Sequence, residues 1–214
     1  MTGPAIDTAV PRRKTAKPAP HTQILACGAL AREILALVEA GGLTGVELAC
    51  LPAKLHNQPQ FIPERVREAI RAAKARGVER VLVAYADCGT GGQLDKVLDE
   101  EGAARIQGPH CYAFFAGQTD FAELMEAEPG SFFLTDYLAR HFETLILKGM
   151  GIDRHPELQE MMFGNYRRLV YLAQEDSPEL RAKAEAAAAR LGLVYEHRKT
   201  GYGELAGFVA AAQG

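Results

Sequence analysis

Residues 78–92 read Val78-Glu-Arg-Val-Leu-Val-Ala-Tyr-Ala-Asp-Cys-Gly-Thr-Gly-Gly92. The centre of this stretch, Val81 to Ala86, fills successive positions with apolar residues instead of alternating them with polar ones. A strand of that kind is buried on both faces, which requires helices on either side of a parallel sheet. The run is strand-sized and far short of the roughly 20 residues of a membrane-spanning helix. It ends in a glycine-rich turn, after which Leu94 to Leu98 begins a helix that Gly102 stops.

The same alternation extends outward on both sides. Upstream, Gln23 to Ala26 reads as a buried strand, Leu30 to Val38 as a helix closed by Gly41-Gly42, and Val46 to Leu51 as a second strand. Pro63 then occupies the favoured first turn of a helix with Val66, Ala69, Ile70 and Ala73 on one face and Gly77 at its end. Downstream, Asp120 to Ala127 and Phe132 to Leu147 read as helices, and His155-Pro156 opens a short one through Met162. Arg168 to Ala173 is again a strand, Ser177-Pro178 caps an alanine-rich helix that Gly192 ends, and Leu193 to Tyr195 is the last strand. The expected fold class is α/β: an open, doubly wound, mostly parallel sheet flanked by helices, forming one domain over residues 22–214.

Residues 1–21 differ from the rest. Pro4, Pro11, Pro18 and Pro20 are spread among Arg12, Arg13, Lys14 and Lys17 with one acid, Asp7. Low apolar content and proline spacing predict a disordered basic tail, without the apolar core of a signal peptide. The whole chain has 24 basic and 27 acidic residues, a formal net charge of −3. That balance argues against a nucleic-acid binder, and nothing reads as a membrane segment. Four cysteines in 214 residues are too few for a disulfide scaffold; the expectation is a cytoplasmic protein with free thiols.

In open α/β sheets ligands bind beyond the carboxyl ends of the strands. Cys27 follows the first strand, His56 the second, and Cys88 the clearest one. His110 and Cys111 follow a short candidate strand near Arg105-Ile106. Three thiolates, with an imidazole as further ligand or substrate contact, suit zinc or an iron–sulfur cluster, and a site with an open position is of the catalytic kind. The candidate metal set is therefore Cys27, Cys88, Cys111, His56 and His110. The ligands spread over 84 residues, so only a folded domain could assemble them. The competing reading is that these thiols are packing groups, since unpaired cysteine is among the most buried residue types. Cys50, inside a strand, is expected in the core.

Two clusters are candidates for holding an anionic substrate. Gly89-Thr90-Gly91-Gly92 exposes backbone N–H groups between a strand and a helix, although it matches neither nucleotide-binding glycine pattern. Asp87 beside it would orient a ligand, act as a base or cap the turn. Asn165-Tyr166-Arg167, with Arg168 beyond and Tyr202 on a glycine-flanked loop, would grip a carboxylate or phosphate and close over a pocket.

The ordered motifs Cys27-Gly-Ala-Leu30, Leu51-Pro-Ala-Lys-Leu-His-Asn57, Tyr85-Ala-Asp-Cys-Gly-Thr-Gly-Gly92, Gly108-Pro-His-Cys111, Leu134-Thr-Asp136 and Phe163-Gly-Asn-Tyr-Arg167 resemble a family of unknown function, DUF1638. The likeness spans nearly all of residues 22–205. It implies that the Cys and His motifs are the functional ones, and an association with corrinoid-dependent methyltransferase systems. The expected function is thus a metal-binding protein with a Cys/His site at the carboxyl edge of the sheet. It would act as a zinc-dependent thiol-activating methyltransferase or a corrinoid-linked one-carbon accessory protein, on a small anionic or thiol substrate, with a corrinoid protein or methyltransferase as partner. The alternatives are an iron–sulfur accessory protein and a metal-free module that binds small anions.

Overall fold

The structure, a computed structural model, describes residues 21–213. Residues 1–20, and with them nearly all of the expected basic tail, lie outside the described part. The first half carries β1 (Thr22–Cys27), α1 (Ala31–Ala40), β2 (Val46–Leu51), α2 (Ile62–Ala75), β3 (Arg80–Ala84), α3 (Gln93–Glu101) and a two-residue β4 (Ala104–Arg105). α4 (Cys111–Ala116) and α5 (Gln118–Ala127) lead to β5 (Ser131–Thr135), α6 (Asp136–Arg140), a π-helix over Glu143–Lys148, and α7 (Glu157–Phe163). β6 (Arg168–Ala173), α8 (Pro178–Leu191), β7 (Val194–Lys199) and α9 (Gly203–Ala210) complete the chain.

The α/β class and the parallel strands are as expected, but the strands divide into two sheets. One has the order β2-β1-β3-β4 and the other β5-β6-β7, with every pairing parallel. In the first, the chain leaves β1 toward one edge for β2 and returns past it to β3. The order therefore reverses between β1 and β3, and a crevice opens beyond their carboxyl ends.

Alternate residues of β1 explain why that sheet is covered twice. Ile24 and Ala26 pack with Leu30 and Ile34 of the α1 side, Phe114 of α4 and Leu205 of α9. Leu25 points the other way, against Ile62, Val66 and Ile70 of α2 and Leu94 of α3. In the second sheet Leu169 and Tyr171 face α8, while Val170 and Leu172 face Phe121 and Leu124 of α5. The halves thus exchange helices: α4 and α5 run under the second sheet, and α9 returns to α1 and α4 beside the first. Among the described residues no helix is long and apolar enough to cross a membrane.

Two expectations are corrected. Phe132 to Leu147 is not one helix. Ser131–Thr135 forms β5, whose bulky Phe-Phe-Leu core sits between β6 and the hydrophobic layers on either side. Thr135 then caps α6, its hydroxyl accepting from the Leu138 amide. Cys50 is exposed and not a core residue. It lies on β2, an edge strand that has a neighbour on one side alone and is incompletely covered.

Candidate functional site

The turn after β3 is built by one carboxylate. Asp87 accepts from the Thr90 hydroxyl at 2.8 Å, the Gly92 amide at 2.9 Å and the Gly91 amide at 3.2 Å. These bonds hold its carboxyl below the ordinary range despite partial burial. The amides that would cradle an external anion are therefore occupied by the chain's own Asp87, so the glycines serve the turn. Gly89, Gly91 and Gly92 all have positive φ, which the turn requires.

Cys88 shares this geometry with φ of 48°, a left-handed conformation that costs a non-glycine residue about 1 kcal/mol or more. Neighbouring backbone holds it there. The amides of Asp87 and Cys88 donate to the carbonyls of Gly108 at 3.0 Å and Pro109 at 3.1 Å, laying the 85–92 loop against the loop that carries His110 and Cys111. Arg105, almost fully buried, fixes that second loop. It binds Asp95 in a fork at 2.6 and 3.0 Å and donates to the carbonyls of Ile106 and Gly108.

The crevice is a cavity of about 460 Å³, within the range of small-molecule sites. Cys27, Cys88 and Cys111 all line it, with His56 on the short helical turn after β2. Four of the five expected ligands thus line one cavity beyond the carboxyl ends of β1, β2, β3 and β4. His110 is set just behind, its Nδ1 3.6 Å from Cys111 Sγ, its ring edge-on to His56 at 5.2 Å and stacked on Tyr112 at 4.1 Å. As the side chains stand, no three His, Cys, Asp or Glu among the described residues are grouped closely enough to hold a metal ion.

The thiols are not equivalent. Burial raises Cys27 to about 11, helped by the neighbouring sulfurs. Cys88 is lowered, chiefly because the Cys111 thiol donates a hydrogen bond to it. Cys111 is pushed well up, because it holds that proton for Cys88 and is itself enclosed. Of the pair, Cys88 is therefore the thiol that ionises first and Cys111 the donor. Enclosure lowers His56, and lowers His110 to about 4, so both imidazoles are kept neutral. Neutral imidazole and thiolate are the forms in which these residues bind soft metals.

The opposite wall comes from the second half: Phe132, Leu138, Leu145, Ile146 and Met150, with Thr135, Tyr137 and Thr144. Sequence reasoning did not single out these residues, nor Tyr85, Lys54 and Asn57, which also line the cavity. Lys54 and Asn57 lie within the motif around His56, Tyr85 within the one around Cys88, and Thr135 within Leu134-Thr-Asp136, which was the available signal. The Tyr85 hydroxyl is raised first by its own burial and then by Cys27 beside it, yet it meets no partner in hydrogen-bond geometry.

The second anion cluster does not reach the cavity. Asn165 and Arg167 are exposed, and Tyr202 is half-buried just ahead of α9. Tyr166 packs behind the wall against Phe132 and Phe163. Arg168 is committed to Glu196, the Ser131 hydroxyl and the Leu124 carbonyl.

No curated protein and no solved structure matches the chain. A family model described as a protein of unknown function (DUF1638) matches residues 50–209, a span that holds His56, Cys88, His110 and Cys111 and begins after Cys27. The chain belongs to the DUF1638 family.

Proposed function

We propose that the crevice is a thiolate centre for a soft metal ion, zinc in the first instance, held by Cys27, Cys88 and Cys111 next to a small-molecule pocket. The observation that carries this is the convergence of three cysteines, from three separate segments that span 84 residues of sequence, on one cavity at the reversal point of the sheet. The donor chemistry fits. Cys88 is already disposed to ionise, and the two imidazoles nearby are neutral. Cys27 and Cys111 would lose protons on binding, and all three thiols would turn toward a common point.

When bound with an open position, zinc would lower the pKa of a substrate thiol and make it a methyl acceptor. The chain's own residues supply the rest. His56 at the cavity mouth is neutral and suited to take the proton of an entering thiol. The strained Cys88 backbone, clamped by Asp87 and by the 108–109 carbonyls, fixes one ligand in advance.

Anaerobic purification followed by elemental analysis and a visible spectrum tests this. The expected result is close to one zinc per chain, lost in a folded Cys27→Ala/Cys88→Ala variant. Iron with sulfide and a visible charge-transfer band would replace zinc by a cluster at the same thiols. Stoichiometric metal retained by the double variant, or no metal bound on titration of the anaerobic protein with zinc, would overturn it.

A further inference from the structure

The cavity is lined by two chemically distinct sets of residues. The first half contributes the sulfurs of Cys27, Cys88 and Cys111; the second half contributes Phe132, Leu138, Leu145, Ile146 and Met150, a hydrocarbon wall. The wall is partly made by the π-helix Glu143–Lys148, which turns Thr144, Leu145 and Ile146 toward the cavity. Such wide turns are less stable than α-helix and are retained mostly at functional sites.

The groups that would recognise an anion are committed elsewhere. The Gly91 and Gly92 amides and the Thr90 hydroxyl are bonded to Asp87. Arg105 is forked onto Asp95, and Arg168 is paired with Glu196. Arg32 and Arg140 both pair with Glu175. Lys54 is the one cationic side chain in the lining, and it is exposed, so its ammonium stays in water at the mouth. His56 contributes a neutral ring.

We infer that the ligand of this cavity is an uncharged thiol or thioether with a hydrocarbon body, its sulfur toward Cys27, Cys88 and Cys111 and its body against the wall of the second half. The orientation of the sulfur rests on the soft-metal reading above; the hydrocarbon body rests on the wall alone. A free anionic thiol is disfavoured, because its charge would be carried into a cavity whose second-half wall offers the hydroxyls of Thr135, Tyr137 and Thr144 but no cation.

Calorimetric titration of the full chain, with metal content measured in each sample, separates the possibilities. The probes are benzyl mercaptan, benzyl alcohol and 3-mercaptopropionate. Benzyl mercaptan is expected to bind about ten-fold or more tighter than 3-mercaptopropionate, the change that about two buried methylenes bring. Leu145→Asp, on the half-exposed part of the wall, should cost benzyl mercaptan a similar factor with metal content and urea midpoint unchanged. Lys54→Met should leave its affinity within about two-fold, a surface charge being largely screened. Equal binding of the mercaptan and the alcohol by protein carrying stoichiometric zinc would overturn the thiol assignment, whereas failure of the protein to take up zinc at all would count against the metal reading instead. Tighter binding of 3-mercaptopropionate, or its loss in Lys54→Met, would overturn the inference; the wild-type comparison alone decides it if Leu145→Asp fails to fold.

Discussion

In the metal-free protein Cys88 should be the first thiol alkylated, and Cys27 and Cys111 the last. The magnitude for Cys27 follows from its surroundings. Raised from 9.0 to about 11, it carries about a hundred-fold less thiolate than an ordinary cysteine at the same pH. The more basic thiolate is intrinsically the better nucleophile, and a Brønsted slope near 0.5 returns roughly ten-fold of that loss. The net expectation is a rate about ten-fold below that of an ordinary thiol, before any hindrance from the cavity. Cys88 moves the other way because Cys111 donates to it, and exposed Cys50 falls between.

The sequence makes the assay direct, since tryptic cleavage puts the four cysteines on four separate peptides. Chelator-treated protein would be pulsed with iodoacetamide at mildly alkaline pH, quenched, digested and quantified by mass spectrometry. Cys111→Ala removes the donor and should slow Cys88, whereas Cys111→Ser keeps a hydroxyl donor and should slow it less. Adding zinc should protect Cys27, Cys88 and Cys111 together and leave Cys50 reactive. The reasoning is refuted if Cys27 reacts as fast as Cys50, or if Cys111→Ala leaves the Cys88 rate unchanged.

Other perturbations probe the frame around the site. Asp136, 1% exposed, accepts from the Tyr171 hydroxyl at 2.6 Å and from the amides of Glu175 at 2.8 Å and Gln174 at 3.1 Å. Asp136→Ala should cost about 3–5 kcal/mol and Tyr171→Phe about 1–3 kcal/mol in urea unfolding, with strong coupling in the double variant. Arg105→Ala should cost roughly 2–3 kcal/mol and speed alkylation of Cys111 by loosening the 106–110 loop; an unchanged rate would detach that loop from Arg105. Glu33 is 4% exposed with one carboxylate oxygen unpartnered, and burial raises its pKa. A group raised in the fold contributes stability that is fully present below its unfolded pKa and lost as pH rises through its folded one. Glu33→Gln should therefore stabilise the protein at neutral pH and flatten the acid-to-neutral rise in instability, and a variant with the parent's pH profile would count against it.

The parts of the molecule legible in the sequence were those where local pattern and burial agree. Val81 to Ala86 is apolar at every position and lies between two covered faces, so its pattern announces a parallel α/β sheet. β5 was hidden because strand and helix meet with no loop between them: Thr135, the polar break within Phe132 to Leu138, both ends the strand and caps the next helix. Cys50 misled for a different reason. Its strand looks like β1 in composition, but position in a sheet depends on strand order, and β2 is an edge. Strand order also governs whether Cys27 and Cys88 meet. Rules about strand ends gave each cysteine a place on one side of a sheet, while the reversal between β1 and β3 is what sets two of them on a shared crevice. The glycine turn was read as either cradle or cap, and Asp87 makes it a cap.

The two halves contribute unequally to the cavity, for a reason visible at their carboxyl edges. In the second sheet that edge is rich in polar groups, but they are consumed in holding structure. Asp136 ties β6 to α6, the Gln174 side chain accepts from the Asp136 amide, and Glu175 reaches across to Arg32 of α1. A carboxylate with three donors has little left to offer a ligand. What this half can present to the crevice is its apolar side, the Phe132–Met150 wall. The first sheet is the reverse. Its edge residues Cys27, Cys88 and Cys111 are placed by the strands and by backbone bonds between loops, and beyond one another the sulfurs meet neutral groups, such as His110 beside Cys111. Reactive chemistry from one sheet and shape from the other is thus a consequence of where the hydrogen bonds are spent, and a variant that weakens the Arg32–Glu175–Arg140 link should alter ligand fit before it alters the thiols.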